Sequence, residues 1–310
     1  MVALLVCPGQ GAQKVGMGRD LADRFPAARE VFDAVDTALG VGLSRIMWEG
    51  PEDELTLTHN AQPAILAHTA AALAVASPRL RQEGIAAAAG HSLGEYSAYV
   101  AAGAFSAADA ARLVRRRGEL MLEAGEARPG AMAAVLGLPT ESVREACRNA
   151  SNEGAIAVAA NLNAPDQTVI SGDPAGVERA GARCRELGAR RVVPLKVSGA
   201  FHSPLMAPVV DGLHEALRRT EPSDPAFPIV ANASAEAVTT GTDAARLLLD
   251  QVTAPVRWVE CVQAMSALAP GARFIEAGPG SVLSGLIRRI LPDAETLTLG
   301  TADELERFIA

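Results

Sequence analysis

Lysine is almost missing from this chain. Only Lys14 and Lys196 occur, although lysine and arginine together number 28. Acidic residues number 36, and the net charge is −8. That balance argues against nucleic acid as the main partner. Aromatic residues make up only 4% of the chain, which with the abundance of alanine reads as compositional bias. The four cysteines, Cys7, Cys147, Cys184 and Cys261, lie far apart and form no C-x-x-C pair. Zinc and redox motifs therefore have no support, and no metal is expected. Reduced, buried thiols in a cytoplasmic protein are the expectation. Long uninterrupted apolar runs are lacking too. The longest, residues 61–76, is broken by Gln62, Pro63 and His68, and suits a buried helix rather than a membrane span. The apolar start, Met1 to Cys7, is too short for a signal peptide and carries no basic leader. A soluble chain with no membrane partner is expected.

What is present is a large apolar fraction, 49% of 310 residues, enough for a sizeable core with a second lobe. The most informative stretch is Gly90-His91-Ser92-Leu93-Gly94. It reads G-x-S-x-G, between an apolar run at 85–89 and a helical run at 95–102. Strand, tight turn and helix are the setting of a nucleophile elbow. The glycines allow a sharp turn. The helix start favours developing negative charge beside the Ser92 hydroxyl.

The order of elements predicts an α/β fold. Strands are expected at 3–7, 85–89, 229–231 and 273–277. Helices are expected at 18–25, 28–39, 62–76, 107–123, 204–219, 244–251 and 257–267, with a final one at 282–290. Between residues 129 and 197 the order strand, helix, strand, strand, helix, strand is that of a ferredoxin-like α+β unit. The expected layout is a large α/β-hydrolase-like lobe with a parallel-sheet core, from residues 1–128 and 198–310. A small ferredoxin-like subdomain, 129–197, is inserted into it.

The elbow alone admits several acyl-transfer enzymes. An α/β-hydrolase places its acid and histidine after the serine, the histidine typically near the chain end. Here no histidine follows His214, which weakens a simple esterase, although Asp166 or Asp173 formally fills the acid position. Of the five histidines, His91 adjoins the serine and should point away from it. His59 and His68 read as structural, and His214 as a surface residue. His202, in Ser198-Gly199-Ala200-Phe201-His202-Ser203-Pro204, sits where the small lobe would rejoin the large one. Position leaves it between a general base and a hydrogen-bonded loop histidine. Arg115, Arg116 and Arg117 run consecutively on one helix. Successive positions are roughly 100° apart, so one of them can face inward.

Five segments together carry a resemblance: Pro8-Gly9-Gln10-Gly11-Ala12-Gln13, Gly90-His91-Ser92-Leu93-Gly94-Glu95, Arg117-Gly118, Ala200-Phe201-His202-Ser203, and Gln251-Val252-Thr253-Ala254-Pro255-Val256-Arg257-Trp258. In order and spacing they resemble the malonyl-CoA:acyl-carrier-protein transacylase family, over essentially the whole chain. The acyltransferase domains of polyketide synthases share most of these segments. The resemblance implies Ser92 as nucleophile and His202 as its base, with Gln10 and Leu93 N–H groups forming the oxyanion hole. The general elbow geometry also puts the Leu93 N–H there. Arg117 would clamp the free carboxylate of malonate by two parallel hydrogen bonds, leaving Arg115 and Arg116 exposed. A backbone carbonyl near Gln251 would orient His202. Asn161 matches a position near the acyl pocket, and equally reads as the end of a strand. Phe201 is bulky where related polyketide domains that take methylmalonyl carry a small residue.

The substrate implied is malonyl-CoA, with no bound cofactor. The partner implied is an acidic acyl carrier protein bearing a phosphopantetheine thiol. Arg115 with Arg116, Arg190 with Arg191, and Arg288 with Arg289 are its candidate docks. A monomer serving fatty acid biosynthesis is expected. The rivals are a free-standing acyltransferase loading a polyketide synthase, a serine thioesterase or esterase, and a non-catalytic carrier-binding subunit.

Overall fold

The computed structural model describes residues 2–151 and 154–310. Met1, counted above in the first apolar run, lies outside them. Among the described residues, ten strands form two sheets. The larger sheet contains β1 (Ala3–Cys7), β2 (Ile85–Gly90), β7 (Ile229–Val230), β8 (Ala237–Val238), β9 (Arg273–Ala277) and β10 (Thr296–Leu299) in the order β10-β9-β1-β2-β7-β8. All its pairings are parallel except β7 with β8. Its central strand, β1, is buried throughout, as a parallel strand covered on both faces must be. Ala3, Leu5 and Cys7 join the core on one face, and Leu4 and Val6 the core on the other.

The smaller sheet contains β3 (Ala131–Leu136), β4 (Ala157–Ala164), β5 (Gln167–Gly172) and β6 (Arg191–Pro194), ordered β4-β5-β3-β6 and antiparallel throughout. With helices Thr140–Ser151 and Pro174–Glu186 it has the β-α-β-β-α-β order expected, and a separate core of its own.

Several expected elements change. The apolar helix extends to Thr58–Glu83, because the buried Ala61 and Leu80 continue its apolar face past either end. The helix expected at 204–219 is a single 3₁₀ turn, Pro204–Met206, followed by Val209–Arg219, with Pro208 at the break. The helix at Val282–Ile290 is not the last. Strand β10 and helix Ala302–Ile309 follow it, the latter begun by a capping box at Thr301 and Glu304. A short helix, Leu43–Glu49, was also not foreseen.

Helix Thr58–Glu83 packs against helix Ala107–Ala127. A methyl group on Gly118 would lie 2.6 Å from the His59 Cα and 2.9 Å from the Thr58 carbonyl oxygen. Only glycine permits that crossing, and the crossing brings Arg117 beside Gln62 under the elbow.

Candidate active site

Strand β2 runs into the turn at residues 91–92 and then into helix Leu93–Ala101. The turn is closed so tightly that side chains at its flanks are excluded. A Cβ on Gly90 would lie 1.8 Å from the Gly94 carbonyl carbon, and one on Gly94 2.1 Å from the Cys7 carbonyl oxygen. Ser92 is forced to φ 52°, the left-handed region that a serine seldom enters. His202 has φ 56°, and Ala235 is the one other non-glycine residue with positive φ among the described residues. Such strain costs about 1–3 kcal/mol per residue and concentrates at functional sites.

The two strained residues meet. Ser92 Oγ lies 2.7 Å from His202 Nε2, and His202 Nδ1 lies 3.0 Å from the Gln251 carbonyl oxygen. A carbonyl only accepts, so Nδ1 carries the proton and Nε2 is left to accept from the serine hydroxyl. The imidazole is 3% exposed. Burial, reinforced by the Arg117 charge, pushes its pKa down to about 3, so it is neutral and basic in form. The pair thus needs no carboxylate to fix its tautomer.

Arg117 lies beneath the serine, 1% exposed. Its Nη2 donates to Ser92 Oγ at 3.3 Å and to Gln251 Oε1 at 2.9 Å, while Nη1 donates to Gln62 Oε1 at 2.6 Å. Its Cζ is 5.5 Å from the centre of the Tyr96 ring. Burial lowers its pKa, and no carboxylate forms an ion pair with it among the described residues. A desolvated cation held only by neutral groups at close range is unusual, since buried charges are ordinarily paired.

A cleft of about 430 Å³ opens onto these groups, lined from both sheets' surroundings. Gln10, Leu93, Phe201 and Asn161 all line it, as do Ser92, His202 and Arg117. Leu93 is the first residue of its helix, so its N–H has no acceptor within the helix. Gln10 is held by its side-chain Oε1, which accepts from the Thr58 hydroxyl at 3.0 Å. Asn161 does not end a strand. It lies inside β4, beside an irregularity in its pairing with β5, with its buried Oδ1 lacking a partner. His91 contacts Asn163 Oδ1 through Nε2 at 2.8 Å and leans against Trp258.

Three further residues complete the site, and sequence reasoning assigned them nothing. Asn232 accepts the Ser92 N–H at 2.7 Å and donates to the Gly90 carbonyl at 2.7 Å, clasping both sides of the turn. Glu95, fully buried, accepts from the Asn232 N–H and from Gln251 Nε2. Burial drives its pKa up to about 7. Gln62, read as a mere interruption of an apolar run, holds Arg117. A polar residue inside an alanine helix was the one available signal.

The expectation for Arg115 is corrected. It is not free on the surface, because the close helix crossing lets it donate to Asn60 Oδ1 at 2.6 Å as well as to Glu119. Arg116 is exposed and paired with Glu119 and Glu123. Arg289 pairs with Asp166, and Arg288 donates to the Thr296 hydroxyl. Arg190 and Arg191 are exposed and form no ion pair among the described residues. Among those residues, no cluster of three His, Cys, Asp or Glu is placed for a metal ion. No helix among them is long and apolar enough to cross a membrane.

A serine hydrogen-bonded to a neutral histidine, with a helix N-terminus and a buried arginine alongside, has the groups that acceptance of an acyl chain carrying an acid calls for. Comparison with known proteins agrees. A malonyl CoA-acyl carrier protein transacylase of Bacillus subtilis is 44% identical, the match covering 97% of this chain and 94% of the relative. An acyl-carrier-protein S-malonyltransferase structure from Bartonella henselae superposes with a TM-score of 0.93 at 44% identity, covering 99% of this chain and 98% of the other. A malonyl-transacylase solved in complex with its type II polyketide synthase acyl-carrier protein gives 0.93 at 37% identity, covering 99% of each chain. The acyl transferase domain family matches residues 4–301, and the chain belongs to that family.

Proposed function

We propose that this chain is an acyl-carrier-protein S-malonyltransferase. It would move malonyl from coenzyme A to the phosphopantetheine thiol of a carrier protein through an ester on Ser92. The observation that carries the reading is Arg117. Its buried guanidinium lacks a carboxylate partner among the described residues and reaches to 3.3 Å from the nucleophile. The free carboxylate of malonate supplies that partner.

In this mechanism Ser92 Oγ bonds to the thioester carbonyl carbon as its proton passes to His202 Nε2. The negative charge that develops on the carbonyl oxygen falls to the N–H groups of Gln10 and Leu93. Collapse breaks the carbon–sulfur bond, and His202 returns the proton to the departing thiolate. The carrier's thiol then attacks the ester, giving its proton to His202, and Ser92 Oγ leaves and recovers it. Two half-reactions at one serine make the cycle ping-pong. Asn161, with an unpartnered Oδ1, and Phe201 would bound the acyl group.

The carrier would dock on Arg190 and Arg191, with Lys196 at the cleft wall. These cations are not neutralised by an ion pair among the described residues, unlike Arg116 and Arg289. The reading treats residues 1–128 and 198–310 as the catalytic lobe and 129–197 as the inserted one. The mechanism calls on no residue of a second copy, and a monomer is proposed. The four cysteines, all unpaired and buried, fit a reducing cytoplasm. Fatty acid biosynthesis is the pathway proposed. Supply of a polyketide synthase is the second reading, favoured by the relative solved with such a carrier.

The test is intact mass spectrometry after brief mixing with malonyl-CoA, acetyl-CoA or methylmalonyl-CoA, then addition of holo carrier protein. A malonyl adduct on Ser92 that moves to the carrier is expected. An adduct lost at the same rate to water would replace the reading with an esterase.

A further inference from the structure

Gln251 lies between two groups of opposite demand. Its Oε1 accepts from Arg117 Nη2 at 2.9 Å, and its Nε2 donates to Glu95 Oε2 at 2.7 Å and to the Ser92 carbonyl at 3.1 Å. A carboxamide can be turned end for end with almost no change in shape, exchanging its oxygen and its NH₂. Here its neighbours forbid the exchange. An ionised carboxylate and a backbone carbonyl only accept, and a guanidinium only donates. The turned amide would set oxygen against oxygen at Glu95 and at Ser92, and N–H against N–H at Arg117.

We propose that Glu95 is a positioning residue, whose carboxylate fixes the Gln251 amide and through it holds the Arg117 guanidinium beside Ser92. The inference rests on the malonyl reading given above. It deepens that reading by assigning the acid end of the substrate a support two residues removed from it. Glu95 is suited to the task by its place. It stands in the first turn of helix Leu93–Ala101, directly after the elbow, and is fully buried. Its Oε2 also accepts the Asn232 N–H at 2.9 Å, and the Asn232 side chain clasps the elbow. One carboxylate oxygen therefore ties the nucleophile's turn to the arginine's holder. The charged and titratable groups around it are Arg117 from helix Ala107–Ala127, Tyr96 and Tyr99 on its own helix, and Cys261 from helix Trp258–Leu268. Among these, Arg117 is the one cation, and Glu95 is the carboxylate whose charge it feels.

The test compares Ser92 acylation rates from malonyl-CoA and from acetyl-CoA in the wild type and in Glu95→Leu, Glu95→Asp and Glu95→Gln. Acetyl has no carboxylate for Arg117 to hold. Glu95→Leu keeps the bulk and removes the acceptor. Its malonyl-to-acetyl rate ratio is expected to fall about tenfold or more, the size of one hydrogen bond to a charged group. Glu95→Asp withdraws the acceptor by one methylene and is expected to lower the ratio in the same direction. Glu95→Gln restores most of it, because one amide oxygen can accept both N–H groups. Equal loss of both acyl groups in Glu95→Leu would mean a merely structural role and overturn the inference. If that variant fails to fold, an unchanged ratio in Glu95→Asp overturns it. Failure of the malonyl reading shows elsewhere, as a wild type that does not load malonyl, and the inference then falls with it.

Discussion

Arg117 Nη2 donates to Ser92 Oγ at 3.3 Å, so a buried cation touches the proposed nucleophile. The contact has two consequences. In the proposed mechanism, positive charge at this distance would favour the oxygen as its proton leaves for His202. The same N–H group would also turn towards the malonyl carboxylate, which would tie substrate recognition to release of the nucleophile.

The first prediction concerns that arginine. Arg117→Ala is expected to lower malonyl loading of Ser92 about 100-fold, corresponding to roughly 3 kcal/mol for a charge-assisted pair of hydrogen bonds. Acetyl loading should fall far less. The fold should survive, since removing a buried cation without an ion-pair partner relieves a desolvation penalty that offsets the lost contacts. Acylation rates and thermal melting of the purified variant check both parts. Unchanged malonyl kinetics would remove the carboxylate clamp.

His202 gives a prediction in pH. Its folded pKa is pushed down to about 3, whereas an unfolded histidine titrates near 6.5. Between those values the unfolded chain binds the extra proton, so stability declines as pH falls through that window and is unaffected by this group above it. Replacing the imidazole removes the penalty. The melting temperature of His202→Asn minus that of the wild type should rise as pH falls from about 6.5 towards 4. A difference constant with pH would mean that the imidazole is already protonated in the fold. At neutral pH the same variant should lose about 10²–10⁴-fold in acylation rate, the range of a lost general base.

The sequence disclosed those parts of the site whose geometry is local. Gly90 to Gly94 encode their turn in five consecutive residues, and the β-α-β-β-α-β order announced the small sheet. Position alone left His202 with two readings and the resemblance implied the base, because its contact with Ser92 spans 110 positions of the chain. Asn232 could not be read at all, and Gln62 showed only as a polar break in an alanine-rich run. Asn232 meets Ser92 across 140 positions, and its neighbours Ala231 and Ala233 give no pattern. Glu95 was visible inside a motif, yet its partners Gln251 and Asn232 are joined to it only by tertiary packing. The chain end was misjudged for another reason. Thr296–Leu299 is a four-residue strand, too short to show a period.

Gly94 tests how strictly the elbow depends on its backbone. An added methyl would lie 2.1 Å from the Cys7 carbonyl oxygen and 2.8 Å from that of Pro8, both backbone atoms of the central strand and its exit loop. Neither can swing aside as a side chain would. Gly94→Ala should therefore cost about 3 kcal/mol or more, at the upper end for overpacking. Soluble yield and thermal melting measure it. A variant with wild-type stability would mean that helix Leu93–Ala101 can shift away from β1 without loss.

Phe201 bears on which acyl group is accepted. Its side chain is 6% exposed, lines the cleft and immediately precedes His202, so in the proposed mechanism it would limit the space beside the reacting carbonyl. Methylmalonyl adds one branch methyl at the carbon next to that carbonyl. Phe201→Val keeps a hydrophobic wall while withdrawing most of the ring. The truncation leaves a cavity and lowers stability, so absolute rates should fall for every substrate. The ratio of methylmalonyl to malonyl loading escapes that effect, because both are read on one variant. One methyl group is worth about 1–3 kcal/mol, so the ratio should rise at least about tenfold over the wild type. Competing the two thioesters at equal concentration and measuring the Ser92 adducts by mass gives it directly. An unchanged ratio would mean that the branch methyl points away from residue 201, towards the walls formed by Met121 and Met132.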